Sequence, residues 1–476
     1  LNKPRTFRKT SLILVFCCCV ALILAACGDT PTGPGTAPTA YVTTASVTDA
    51  ATVPSTTTGV PATTSLPSTT AAATTTVPTT VVTTAAPTTA AATTAPATTG
   101  ATLDVSKASA TVKDLPFLKG VHDAFLSPDG AMLAVVDTSN KQFCFYTIAG
   151  EKRACTPIRQ SLEINSVVWS PDSRYLAYTD NFATYLQDPD IWLVDVAAGK
   201  ATDLTEDNVS KYQLGEATPG ATKGDLDQFP VFAPDGKRLL FLRYSADGPV
   251  TPHLFSIDLP GGKPSEVGEF EQSVGPANTL GYAISPNGKQ IAYAVAMPKA
   301  ADVKNGLWLG DQTGKNTLQL ISSPDIKAAQ PKLGVAYIVD AAFSGDGKYI
   351  SALARLDAGE PLATYDQDNV YVFTAAGQRV TPVDADTPVH WMAWSPFGSA
   401  ILALVRDGQT NLKNNVKKAG IYLLDKPGGK SVRLLEGDYV PPAMGALWRG
   451  LSWASNNTAL IRSQKDLQLQ LLQINF

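Results

Sequence analysis

Two of the three histidines in this chain occupy the same place in a recurring pattern. His122 stands five residues before Ser127, His390 stands five residues before Ser395, and each Ser is followed by Pro. Asp123 and Trp391 come next, one residue nearer the turn. Asn165, Gln228 and Arg449 hold the five-back position before other copies of the turn, and Asp340 holds a four-back position. An imidazole beside a carboxylate can carry a proton near neutral pH. A guanidinium binds anions through a rigid fork, and an indole supplies a flat apolar wall. Brought together, these residues would line a polar pocket with one aromatic side; kept apart, they would cap strand starts and meet water. Repeat equivalence does not set coordination distances, so no metal is assigned to them.

Whether they meet depends on the elements that carry them. Ser127-Pro128-Asp129-Gly130 is followed at intervals by Ser170-Pro171-Asp172-Ser173, Ala233-Pro234-Asp235-Gly236, Ser285-Pro286-Asn287-Gly288, Ser344-Gly345-Asp346-Gly347 and Ser395-Pro396-Phe397-Gly398. A degenerate seventh copy is Ala454-Ser455-Asn456-Asn457. Ser, Pro, Asp and Gly in that order suit a type I turn closed by a left-handed residue. An apolar strand follows each turn, "LAVVD" and "LAYTD" being the first two; then comes a strand ending in a Gly-containing turn, such as "DIWLVDVAAG", and usually a short fourth strand such as "KATDLT". Four strands per unit at a period of ~40–50 residues predict a β-propeller. The fold expected is therefore all-β: seven four-stranded antiparallel blades. The seventh unit lacks a fourth strand, and Lys107–Leu115, "KASATVKDL", is the segment expected to supply it and close the ring.

The "WSPDG…LA…IW.VD" pattern resembles the Pro-Asp (WD40-like) propeller repeat of TolB-like proteins, which also occurs in the propellers of prolyl-oligopeptidase-type enzymes. The resemblance covers roughly 104–476 and implies a protein–protein role in an envelope assembly. It speaks for the fold far more than for the function. No Gly-x-Ser-x-Gly elbow is present; the nearest stretch, Gly450-Leu451-Ser452-Trp453-Ala454, belongs to the repeat itself. Gly429-Lys430-Ser431 lacks the upstream Gly of a phosphate loop. Asp366-Gln367-Asp368-Asn369 could bind Ca²⁺ but lacks the full spacing of a calcium loop, so no cofactor is expected. On these grounds the chain is expected not to be an enzyme.

The N-terminal part reads differently. Lys3, Arg5, Arg8 and Lys9 precede the apolar run Ser11–Ala26, which ends in Leu24-Ala25-Ala26-Cys27-Gly28. A basic flank, a short apolar core and small residues before the cleavage point describe an export signal. The last residues resemble the bacterial lipobox, which implies acylation of Cys27 and a membrane anchor; an uncleaved anchor helix is the plainer alternative. Residues 27–103 are rich in Thr, Ala, Pro, Ser and Val, with no charged residue between Asp49 and Asp104. Such a segment cannot bury enough apolar area to fold and is expected to be a disordered tether. As a coil it reaches ~45–50 Å. The expected division is thus a lipoprotein signal peptide over 1–26, a lipidated Cys27 with its tether over 27–103, and a propeller over 104–476.

Net charge over the 476 residues is −4, with no basic excess to suggest nucleic acid. The third-strand Cys144 and fourth-strand Cys155 of the first unit fall opposite each other across the Ala149-Gly150 turn. They are a candidate disulfide in an exported domain, two free thiols being the other reading. The expected function is a membrane-anchored extracytoplasmic module that binds a protein partner through the face where the long loops gather. A carbohydrate hydrolase or lyase at the channel mouth, or a solute-binding sensor, are the alternatives.

Overall fold

A computed structural model describes residues 104–476, apart from 159–161, 181–188, 207–224, 246–251, 272–277, 297–301, 330–335, 357–367, 381–388, 390, 406–418 and 444–450. Seven four-stranded antiparallel sheets follow one another and form a β-propeller. The first blade runs outward through Ala124–Leu126, Met132–Asp137, Gln142–Thr147 and Lys152–Pro157. Cys144 lies opposite Cys155 there, and their sulfurs are bonded at 2.00 Å. Cys27, the apolar run before it and the Thr-rich segment lie outside the described residues. Among the described residues no helix is long and apolar enough to cross a membrane.

The turn chemistry read from the sequence is visible atom by atom. In the second blade the Ser170 hydroxyl donates to Asp172 (2.6 Å) and accepts from the Tyr175 amide (2.8 Å). Ser285 and Ser344 make the same pair of bonds. The fourth position needs a left-handed backbone: Gly130, Gly236, Gly288 and Gly347 have φ between 67° and 71°. Ser173 stands there in the second blade at φ 60°, and its hydroxyl accepts from the Asp129 amide of the first blade at 3.0 Å. Two other departures from the repeat also bridge blades: Ser399 donates to Asp346 (2.6 Å), and Asn456 donates to the Gly130 carbonyl (3.3 Å).

The core lies between neighbouring blades. Phe143 of the first blade meets Tyr178 of the second at 5.2 Å between ring centres, and Phe145 meets Trp169 edge-on. Phe270 stacks on Tyr293 at 4.5 Å, and the Trp394 indole donates to Ser351 of the preceding blade. The bulky residue before the turn Ser thus points back into the preceding blade, which explains why an aromatic recurs there.

Closure comes from Ser109–Asp114, which pairs antiparallel with the C-terminal strand Leu469–Asn475 over six residue pairs. A 3₁₀ turn, Val105–Lys107, precedes it, with Val105 buried in the core shared by the sixth and seventh blades. One detail differs from expectation. The innermost strand of the seventh blade is Tyr439–Val440, paired with Ser463 and Arg462, and Trp453 forms only an isolated bridge with Ala459. Just beyond Val440, Ala443 is buried in the cluster built by the first and second blades.

Candidate functional site

In the first six blades the turn that carries the Ser-Pro-Asp-Gly pattern and the turn between third and fourth strands share one end of the sheet, and both are short. The inner strands begin at the opposite end, where the candidate pocket residues stand. In three consecutive blades the ladder slips there: the register shifts between Gln228 and Val231, between Thr279 and Tyr282, and between Ile338 and Asp340. Such bulges free a strand end from strict pairing and re-aim its side chains. Phe229, inside the first of them, has φ 55°; its amide donates to Thr179 (3.2 Å) and its carbonyl accepts from the Tyr282 hydroxyl (3.0 Å). The second blade uses a 3₁₀ turn instead, Ile164–Ser166.

His122 and Asp123 form a pair, Nδ1 to Oδ2 at 2.9 Å, with the imidazole open to solvent and the carboxylate buried. Asn165 is buried and donates through its amide and side chain to Glu163 Oε1 at 3.0 and 2.9 Å. Burial pushes the Glu163 carboxyl above its ordinary value, against those two bonds. Asp340 is buried at its bulge, and Gln228 is half-buried at its own. Trp391 is only 4% exposed and packs among Leu404, Ile421 and Leu423, so its ring belongs to the core rather than to an open aromatic wall. His390, Arg449, Asp366 and Gln367 lie outside the described residues, and no side chain is described for Asp368 or Asn369. Among the described residues no group of three or more His, Cys, Asp or Glu is placed to hold a metal ion.

Two further ionic centres lie at this end. Arg462, 2% exposed, donates to four backbone carbonyls: Val121 (3.0 Å), His122 (2.7 Å), Pro442 (2.7 Å) and Leu467 (2.8 Å). It ties the seventh blade to the first and fixes the backbone under the His122–Asp123 pair. Arg243 grips Asp227 with two bonds of 2.8 and 2.7 Å, and its guanidinium lies 4.7 Å from the Phe255 ring centre. Desolvation pushes Asp227 up to about 6 although Arg243 pulls the other way. A signal for both arginines was present: each interrupts an apolar second strand, "TALIRS" and "RLLFLRYS", where an unpaired charge would be costly.

Neither protein families nor curated proteins give a match. Solved structures do. An oligogalacturonate lyase in complex with manganese is 14% identical, over 77% of this chain and 91% of its own, with a TM-score of 0.46. An oligogalacturonate lyase from Vibrio parahaemolyticus is 10% identical, over 77% and 97%, with a TM-score of 0.48. TolB from Acinetobacter baumannii is 16% identical, over 74% of this chain and 64% of its own, with a TM-score of 0.35. The similarity is one of fold, and the fold resembles that of TolB-like seven-bladed propellers. The expectation that this chain is not an enzyme does not stand, because two of these three structures are enzymes.

Proposed function

We propose that this chain is an exported lipoprotein, anchored through Cys27 on the outer face of the cell membrane, whose propeller offers a binding face to a protein partner. Residues 1–26 then form the leader, 27–103 the tether and 104–476 the bound-out domain. The observation that carries this reading is an asymmetry of connections. Turns at one end hold four to six residues, whereas connections at the other reach twenty-one, at 204–224. A rigid scaffold with long segments collected on one side is the usual arrangement of a recognition surface. Crosslinking in intact cells with wild-type protein, and with chains shortened at 181–188 or 357–367, tests it. One dominant partner lost from the shortened chains is expected. Capture that is unchanged by shortening both segments would remove the loop-rich face from the proposal.

A second reading is favoured by the His122–Asp123 pair, an exposed imidazole backed by a buried carboxylate at an inner strand start. In that reading the mouth acts on a carbohydrate, with His122 exchanging a proton with the sugar and Asp123 orienting its ring. Release of shorter oligosaccharides by wild type but not by His122→Ala is its expected result. Equal release by both would dismiss it.

A further inference from the structure

The short-turn end of the propeller carries a charge of its own. In blades three to six, the turns and the strand residues flanking them hold nine lysine or arginine residues against five aspartates. Lys237, Arg238 and Lys263 lie on the third blade, Lys289 and Lys315 on the fourth, and Lys426 and Lys430 on the sixth, all exposed. Lys348, on the fifth, is paired with Asp346 at 3.0 Å while its side chain remains 68% exposed. Among the aspartates, Asp311 is turned inward to its own loop, accepting from Thr313, Lys315 and Asn316. Composition does not explain this surplus, because the chain as a whole is acidic at −4. The surplus is therefore local to these four blades; at the corresponding turns of blades one and two, Asp129, Glu151, Asp172 and Asp195 outnumber Lys152, Arg174 and Lys200.

The N-terminal segment joins the propeller at that same end. Ser109 pairs with Asn475, the last residue of the C-terminal strand, at the edge where third strands finish. Val105 packs into the core shared with the sixth blade, next to the strand Ser431–Glu436 that follows Lys430. The described chain therefore begins beside the basic turn of the sixth blade, at the opposite end from the long connections.

We propose that the short-turn end of blades three to six is a docking surface for an anionic lipid bilayer. This rests on the proposed anchor at Cys27, which would hold the domain near headgroups. Clustered lysines and arginines are drawn to anionic lipid over about a Debye length. Docked this way, the basic end faces the membrane and the loop-rich end faces outward, so one contact sets the orientation of the other.

The test uses the mature chain with Cys27→Ser, which cannot be acylated, and two vesicle types: phosphatidylcholine alone, and equimolar phosphatidylcholine with phosphatidylglycerol. Cosedimentation with the anionic vesicles is expected to exceed that with the neutral ones by at least about tenfold at low salt, and to vanish near ~0.5 M salt. A chain with Lys263→Glu, Lys289→Glu, Lys315→Glu and Lys430→Glu is expected to lose that binding while keeping its melting temperature. Equal binding to both vesicle types overturns the inference without any variant, and so does undiminished binding by a folded quadruple variant. The mass of the mature N-terminal peptide from cells reads acylation separately. An acylated chain indifferent to phosphatidylglycerol ends this inference alone, whereas an unacylated chain ends the anchor.

Discussion

The two ends of this propeller are made from the same strands under different constraints. At the short-turn end, the Ser127, Ser170, Ser285 and Ser344 hydroxyls each close a ring of bonds with an Asp or Asn and the next strand, and three departures from the repeat serve as links between blades. At the other end the ladder slips in three inner strands, carboxylates are buried, and the connections are long. Regularity belongs to the end that holds the ring together. Irregularity belongs to the end where ligand-facing residues would stand, as expected when local rules are broken at functional sites.

Arg462 should disturb that division most, since it is a structural residue at the irregular end. Arg462→Met leaves four carbonyls without their donor and opens the seam between last and first blades, so urea unfolding should show a loss of about 3 kcal/mol or more. Removing both cysteines, Cys144→Ala with Cys155→Ala, deletes a cross-link spanning 11 residues. A loss of about 2–3 kcal/mol is expected, matched by adding reductant to wild type and absent from the double variant. Asp227 provides a pH signature. Its folded value, raised to about 6 from 3.8, means that the native state holds its proton more tightly than the unfolded chain. Stability should therefore fall as pH rises from about 4 to about 6, by roughly 1–3 kcal/mol, and level off above. Asp227→Asn should flatten that slope in melts across the range; an unchanged slope would assign it to another group, Glu163 shifting in the same direction.

Smaller effects sharpen the contrast. Ser170→Ala removes a buried hydroxyl that serves two partners and should cost about 1–2 kcal/mol in thermal melts. Shortening 181–188 should change stability by less than about 0.6 kcal/mol, because closing a loop depends only weakly on its length. A large loss of stability on that change would mean that the long connections help to hold the scaffold, and the two ends would no longer be separable.

The regular end was almost wholly legible in the sequence. Ser-Pro-Asp-Gly spells its own hydrogen bonds, and the resemblance of "KASATVKDL" to a fourth strand was enough to anticipate ring closure. The irregular end was not. Equal spacing from the turn assigned Trp391 to a pocket, whereas packing against Leu404 and Ile421 places it in the core. Trp391 stands in an unshifted ladder opposite Leu404, so spacing located its strand position but not the core face its ring packs on, while bulges at Gln228 and Asp340 re-aim the equivalent positions of two other blades. The inner strand of the seventh blade was misplaced for a related reason: Trp453 keeps the repeat's sequence, but Tyr439–Val440 takes the pairing. Arg462 and Arg243 could have been flagged as charges inside apolar strands, although nothing local names their partners, which are backbone carbonyls in one case and a carboxylate a strand away in the other.

The strand that shuts the ring also decides how the domain answers to force. A pull on the chain ahead of Asp104 meets the buried Val105 and then Ser109–Asp114, paired against the antiparallel C-terminal strand. Where the pull lies along the strand, all the rungs of that six-residue ladder bear load together instead of parting one by one. Under such a load, survival of the ring becomes a matter of the rate at which this single pair shears, at the place where the two ends of the propeller are joined.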